Sequence, residues 1–323
     1  GVSIVCSRPW GSSTQVNSMC DLHAGIHPYA DGQVALSHDA LCVHRALDAL
    51  FGGLADELSA SEYRFPPMIA AEALDRTGYF HSFPHIVSFP VSLRADEATL
   101  RAFADGNVLD DDGSVRLGPL APVHSALTPA ACYHFYALLA GRELPAPLRL
   151  TTSATCFRTE PSYAALARQR SFSMREIVCI GTGDEVATFL LDMRARIERL
   201  LDLMELPMTF APATDSFFDP YQDPRFYAQR LSPLKTEIVF GDGLAVGSLN
   251  AHGCFFGQTF GIMRDGSALA SGCVAFGLER WLLALCTQFG SVTDHWPAGL
   301  RDALGLARRS DDAQLGTMRA ERT

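Results

Sequence analysis

No run of about eighteen consecutive apolar residues occurs in this 323-residue chain, so a membrane-spanning helix is not expected. Residues 1–20 lack a positively charged start followed by an apolar core, so a secretory leader is not expected either. They show no clear period, and Met19 reads as a candidate natural start. A glycine-rich phosphate loop of the P-loop kind is missing, as is any Ser, His and Asp order that would mark an acyl-transfer triad. There are no internal repeats. Positive charge is scarce: 26 Lys and Arg stand against 36 Asp and Glu, for a formal net charge of −10 and a pI near 5.4. A surface that grips a polynucleotide is expected to carry more cation than this. The nine cysteines, Cys6, Cys20, Cys42, Cys132, Cys156, Cys179, Cys254, Cys273 and Cys286, are odd in number and show no paired framework. They read as cytosolic thiols, with metal ligation open for some.

What is present is ample apolar material, 48% of residues, and a few segments dense in chemistry. Gly272 to Trp281 reads GCVAFGLERW: small and apolar residues through Phe276 predict a buried strand. Gly277-Leu278-Glu279-Arg280 then opens a helix with Leu278, Trp281, Leu282 and Leu285 on its core side. Arg280 falls in the first turn, where the helix end already carries partial positive charge; a cation is favoured there when an anion joins it, and phosphate is the obvious one. Residues 156–180, CFRTEPSYAALARQRSFSMREIVCI, read as two strands joined by a polar loop. Arg158 and Glu160 share one strand face, and Phe172, Met174 and Glu176 share another. In an antiparallel hairpin, one surface then shows an arginine for phosphate, carboxylates for an exocyclic amine and a ring for a purine. A surface ion pair and a core phenylalanine are the plainer reading of the same residues.

In order and spacing, LTPAACYHFY, CFRTEPS, FSMREIV, LKTEIVF, GSLNAHGCFFG and GCVAFGLERW resemble segments of class II aminoacyl-tRNA synthetases, FRTE and RSFSMREI their motif 2 and GFGLER-type GCVAFGLERW their motif 3. Within that superfamily the chain most resembles the amino acid:[carrier protein] ligases, which are similar to the catalytic core of the atypical zinc-containing seryl-tRNA synthetases of methanogens. The resemblance covers roughly residues 60–298. It implies an α+β fold, a mainly antiparallel sheet of six to seven strands flanked by helices, rather than the parallel sheet of a Rossmann domain. It implies ATP-dependent activation of a small amino acid, glycine or alanine by default, as an aminoacyl-adenylate, then transfer to the phosphopantetheine thiol of a small carrier protein. On that resemblance Arg158 serves the α-phosphate and substrate carboxylate, Glu160 the adenine amine, Phe172 the base, and Arg280 its other face and the γ-phosphate. Lys235 joins the ATP-binding set, and Mg²⁺ is expected as counter-ion. Zinc ligands map onto Cys132, Glu176 and Cys273, leaving a fourth position for the substrate amine.

On spacing alone Cys132 is as well read as a packing residue, but a helix begun by Thr128-Pro129 over 128–141 puts it in a first turn, where a thiolate is favoured. Glu237 is open between metal or amine contact and simple solvation, and Ser248 and Asn250 between pocket lining and ordinary strand polarity. Cys156, Cys179 and Cys254 read as packing residues, Cys179 on the strand face opposite Glu176; His81, His85, His134 and His252 read as structural or edge residues. Against the family pattern the chain has LNAH (Leu249 to His252) for FNYH and Thr236-Glu237 for FE, which bears on substrate identity more than on reaction class.

The expected organisation is an irregular segment at 1–20, a catalytic domain over 21–305 and a solvated tail over 306–323. Helices are expected at 40–58 and 184–206, a Gly/Asp-rich hairpin or loop at 105–118, and after Pro66-Pro67 a helix resembling motif 1, which implies a homodimer. No tRNA-holding arm is evident. Acidic carriers call for a local basic face: Arg194, Arg196 and Arg199 read as solvated helix charges, while Arg225 and Arg230 fall near 216–234, where family members place a docking insertion. Two other classes stay open, a seryl-tRNA synthetase-like enzyme and a silent ATP-binding regulatory paralogue.

Overall fold

The structure, a computed structural model, describes residues 25–306 except 232–233, and leaves some side chains of residues 224–231 undescribed. The irregular segment at 1–20 with Met19, Cys6 and Cys20, and the tail beyond Leu306, lie outside the described residues. Among those described, no helix is long and apolar enough to cross a membrane.

The elements that carry the site are α1 (His38–Glu57), β1 (Ser61–Tyr63), α2 (Tyr133–Leu138), β2 (Leu148–Phe157), β3 (Ser171–Gly181), α3 (Gly183–Leu203), β4 (Met208–Pro212), α4 (Pro224–Leu231), β5 (Lys235–Phe240), β6 (Leu244–Gly253), α5 (Phe255–Phe260), β7 (Ala270–Gly277) and α6 (Leu278–Phe289). The strands form one seven-stranded sheet in the order β1-β2-β3-β7-β6-β5-β4. Every neighbouring pair is antiparallel except β1 with β2, which is parallel.

Period-two alternation divides the sheet into a face covered by α1, α3 and α6 and an opposite face that α2 and α5 cover in part, leaving a cavity. Ile177 and Cys179 of β3 and Val274 and Phe276 of β7 join the main core with α1, α3 and α6. Phe51 of α1 stacks on Phe276 with centroids 4.0 Å apart, and fully buried Trp281 meets Phe51 edge-on at 5.0 Å. Burying each such ring contributes about 2–3 kcal/mol. Helix α3 starts where Thr182 and Glu185 form a reciprocal capping box. The bulge in β6 between Ala245 and Gly247 requires glycine: a Cβ at Gly247 would lie 2.6 Å from the Ala275 carbonyl.

Local expectations shift in three places. The helix read over 128–141 is only Tyr133–Leu138, with Cys132 at its N-cap, because the Thr128 hydroxyl pairs with His134 Nε2 at 2.9 Å rather than capping a turn. After Pro66-Pro67 the chain runs as a strand, Met68–Ala70 paired antiparallel with Ser125–Leu127, before the short helices Ala71–Arg76 and Tyr79–Ser82; pairing with a segment distant in sequence takes the place of the first helical turns. Strand β2 ends at Phe157, so Arg158 and Glu160 sit in the loop; the Arg158 N–H still donates to the Arg170 carbonyl at 3.0 Å, which extends the pairing by one step.

Beneath the helix-covered face, Arg175 is 5% exposed and grips Asp48 of α1 with two N–H groups, at 2.8 and 3.0 Å, and Glu62 of β1 at 2.7 Å. Asp48→Ala leaves a buried guanidinium with one exposed partner and is expected to lower stability by about 3 kcal/mol. Glu62→Ala removes a largely solvated carboxylate and is expected to cost under about 1 kcal/mol. Urea unfolding compares them, and equal losses would contradict this account of the edge.

Candidate active site

The face opposite α1, α3 and α6 floors a cavity of about 690 Å³. Register fixes what it presents. Lys235, Asn250 and Cys273 lie opposite one another across β5, β6 and β7, and Glu237, Ser248, Ala275 and Glu176 form the next rung, carried on to β3. Along β3, Glu176, Met174 and Phe172 all face the cavity, so its two ends stand four residues, roughly 13 Å, apart. Cys132, Arg158, Glu160, Arg225 and Arg280 complete the lining from loops and helix starts.

At one end, ligand atoms of Cys132, Glu176 and Cys273 lie within 4.8 Å of one another, and all three residues are buried. Glu176 Oε1 accepts the Ala131 N–H at 2.8 Å, while Oε2 is buried with no hydrogen-bond partner. The Cys273 sulfur has two nitrogens beside it, Asn250 Nδ2 at 3.4 Å and His252 Nε2 at 3.8 Å, and Asn250 Nδ2 also meets Ser248 Oγ at 3.0 Å. Burial, then the charge of Cys273, pushes the Glu176 carboxyl up to about 8. The hydrogen bond between the two thiols, with burial, holds Cys132 well above the ordinary thiol range, and the same bond draws Cys273 well below it. Three acidic groups in so small a buried space cannot all ionise unless a cation joins them. Two sulfurs, one carboxylate and an unpartnered oxygen fit a thiophilic divalent ion, zinc foremost.

At the other end, the Arg158 guanidinium stands 5.3 Å from the Phe172 ring centroid and anchors through Nε to the Pro129 carbonyl at 3.1 Å. Arg280 donates from Nε to the Ala167 carbonyl at 2.6 Å and from Nη1 to the Ala245 carbonyl at 2.8 Å, which fixes its plane. Burial, then the like charge of Arg158, holds the Arg280 guanidinium below the usual arginine range. Such a pair is stabilised by an anion between its members. Beside Arg280 on α6, Glu279 is nearly buried and accepts the Ser173 N–H with both oxygens at 2.9 Å, tying the helix to β3. Nothing in the sequence pattern separated Glu279 from an ordinary helix-start acid.

The remaining wall was less legible. Lys235, the chain's one lysine, gives its ammonium to Asp215 at 2.7 Å and lies 3.7 Å from Glu237. Burial alone would raise the Asp215 carboxyl, but Lys235, Gln229 and Arg158 more than offset it and hold it below the usual range. Arg225 turns its guanidinium inward: it bonds Asp223 at 2.7 Å, reaches the Ser82 hydroxyl, and sits 5.5 Å from the rings of Phe217 and Phe255. The backbone of Arg230 lies in α4, but its side chain is outside those described. Arg194 and Arg196 pair with Glu198 and Asp192 along α3, each at 2.9 Å. Neither Asp215, in an unpatterned loop, nor His252, whose neighbours come from three other segments, carried a local signal.

A family model described as the tRNA synthetase class II core domain (G, H, P, S and T) matches residues 123–289. Amino acid–[acyl-carrier-protein] ligase 1 of Bradyrhizobium diazoefficiens is 35% identical over 259 residues, which cover 77% of this chain and 78% of that protein. Ligase 2 of the same organism is 34% identical over 254 residues, covering 76% and 75%. The type-2 serine–tRNA ligase of Methanopyrus kandleri is 26% identical, but the matched stretch spans only 49% of its length. Among solved structures, A. aeolicus tRNASec in complex with M. kandleri SerRS aligns with a TM-score of 0.75 and 20% identity, over 94% of this chain and 62% of that one.

If the buried triad is a cation site, Glu176→Gln keeps the acceptor for the Ala131 N–H but removes the ionisable oxygen. It is expected to leave the metal-free protein at least as stable in thermal unfolding, while zinc, which raises the midpoint of the parent, no longer raises that of the variant. An equal zinc-dependent rise in both would contradict the assignment.

Proposed function

The chain belongs to the class II tRNA synthetase core family, and within it to the amino acid–[acyl-carrier-protein] ligases; it is a ligase, and on that premise we propose that it activates a small amino acid with ATP and passes it to a carrier-protein thiol. The observation that carries this reading is the pairing, in one cavity, of the Cys132–Glu176–Cys273 cluster with the Arg158, Phe172 and Arg280 cluster about 13 Å along the same sheet face.

In the proposed reaction an oxygen of the amino acid carboxylate attacks the α-phosphorus of ATP. The bond to the bridging oxygen breaks, and pyrophosphate leaves. Arg158, anchored at Pro129, holds the carboxylate and α-phosphate together and neutralises the charge that builds on the phosphorus oxygens. Phe172 stacks the adenine, Glu160 accepts from its amine, and Arg280, its plane set by two backbone carbonyls, covers the other face and reaches the γ-phosphate. Lys235 and Glu237, 3.7 Å apart, would serve the ATP, and Glu237 would contact Mg²⁺, which would supply counter-charge for the phosphates, or the substrate amine. Cys132, Glu176 and Cys273 would hold zinc, which would supply a Lewis acid for the substrate amine and so favour amino acids. Ser248 and Asn250 line the cavity beside Cys273 and restrict the side chain, with glycine or alanine the leading substrates.

The thiol of phosphopantetheine then attacks the adenylate carbonyl carbon, forming a thioester and releasing AMP. A homodimer in the cytoplasm, the segment near 216–234 as carrier contact through Arg225 and Arg230, and no tRNA acceptor complete the reading. Arg225 is paired with Asp223 and packed on Phe217 and Phe255, so its part in that contact is to hold the segment against the cavity rather than to offer a free charge.

Arg158→Ala and Arg280→Ala are each expected to lower amino-acid-dependent ATP–pyrophosphate exchange by about 100-fold or more without changing zinc content. The parent is expected to load glycine or alanine onto a phosphopantetheinylated carrier and to leave tRNA uncharged. Salt-sensitive tRNA charging would turn the reading to a tRNA ligase, and no exchange with any amino acid by zinc-loaded protein would turn it to a binding paralogue.

A further inference from the structure

His252 is half-buried, lines the cavity beside the cysteine pair, and lies on the same face of β6 as Ser248 and Asn250. Its two ring nitrogens meet different chemistry. Nδ1 faces two hydroxyls, Tyr136 OH at 3.2 Å and Ser271 Oγ at 3.1 Å, both on fully buried residues. Nε2 faces the Cys273 sulfur at 3.8 Å. The ring is held from the side by Phe256, whose plane stands at 89° to it with centroids 5.0 Å apart and which itself stacks on Tyr136 at 3.9 Å.

A hydroxyl carries a proton to give, whereas a sulfur acting as metal ligand carries none. A neutral imidazole has one N–H and one lone pair, so only one tautomer suits both neighbours: lone pair to the hydroxyls, N–H to the sulfur. A lone pair aimed at a charged sulfur would repel it. We infer that His252 is a positioning residue of the metal end, its Nδ1 held as acceptor by Tyr136 and Ser271 so that Nε2–H donates to Cys273 Sγ and keeps that sulfur aimed at the space it shares with Cys132 and Glu176. Asn250 Nδ2, at 3.4 Å from the same sulfur, is the second donor. This rests on the proposed metal site. It adds a chain of hydrogen bonds from the buried interior behind α2 to one ligand, of the kind that fixes ligand direction and basicity.

The test compares metal-free parent, His252→Phe, His252→Gln and Tyr136→Phe, titrated with zinc against a chromophoric chelator and with cobalt(II) to read the sulfur-to-metal charge-transfer band. His252→Phe keeps the bulk but not the donor and is expected to weaken zinc by about 10- to 100-fold and to move the cobalt band. His252→Gln places an amide N–H near the same sulfur and is expected to recover most of the affinity. Tyr136→Phe removes one donor to Nδ1 and is expected to weaken zinc by a smaller factor. Parental affinity and band in His252→Phe would overturn the inference, as would a cobalt spectrum in which the variant has lost a nitrogen ligand, since His252 would then bind metal directly. If His252→Phe does not fold, Tyr136→Phe decides, and parental affinity and band in it overturn the inference. A parent that takes up no metal is a separate result, visible before any variant is compared, and ends the metal reading itself.

Discussion

Three ionisable side chains from three separate elements cannot share one buried space without a charge to balance them, and the cavity face of this sheet is arranged around that constraint. Cys132 arrives at a helix start, Glu176 in the middle of β3 and Cys273 in β7, with ligand atoms within 4.8 Å of one another. Left to themselves they can hold only part of their charge: burial and the neighbouring Cys273 push the Glu176 carboxyl up, and the bond between the two thiols raises Cys132 and lowers Cys273. A cation lets all three ionise together, and its binding free energy becomes part of the stability of the protein. The opposite constraint operates at the far end, where Arg158 and Arg280 repel until an anion arrives. One cavity with a buried acid cluster at one end and two arginines at the other suits a molecule with an amine at one end and phosphates toward the other.

The sheet sets the distance between those ends. Because β5, β6, β7 and β3 pair in register, their side chains stand in rungs, and the step from the metal end to the stacking end is a fixed count of residues along β3. Helices α1, α3 and α6 cover the other face, with Phe51, Phe276 and Trp281 interlocked. Rigidity there lets Glu279 and Arg280, at the start of α6, act as fixed points: one is clamped to the Ser173 amide and the other to two carbonyls. Reactions that depend on alignment more than on covalent help from the protein benefit from such a floor.

Much of this was legible because the informative signals are periodic. Phe172, Met174 and Glu176 alternate along one strand, and Leu278, Trp281, Leu282 and Leu285 follow a helical stripe; both patterns hold in the structure. The seven-stranded, mainly antiparallel sheet follows the resemblance of its motifs to class II cores. What was not legible depends on groups distant in sequence. Pairing of the Thr128 hydroxyl with His134 shortens α2, and pairing with Ser125–Leu127 makes Met68–Ala70 a strand where a helix was expected. Asp215 acquires its place from Lys235 and Gln229, Arg225 from an aromatic pocket assembled from three segments, and His252 from Tyr136, Ser271 and Cys273. No local pattern encodes such meetings.

The central claim is that one sheet face holds a metal at one end and an adenylate at the other. Its most direct test is a crystal structure of zinc-loaded protein with a non-hydrolysable glycyl- or alanyl-adenylate analogue, recorded with anomalous scattering at the zinc edge. The account predicts a single zinc peak within bonding distance of Cys132, Glu176 and Cys273, the analogue's amine beside it, and the adenine between Phe172 and Arg280. A zinc peak elsewhere, or an adenine bound away from Phe172 with no zinc at the triad, would contradict it.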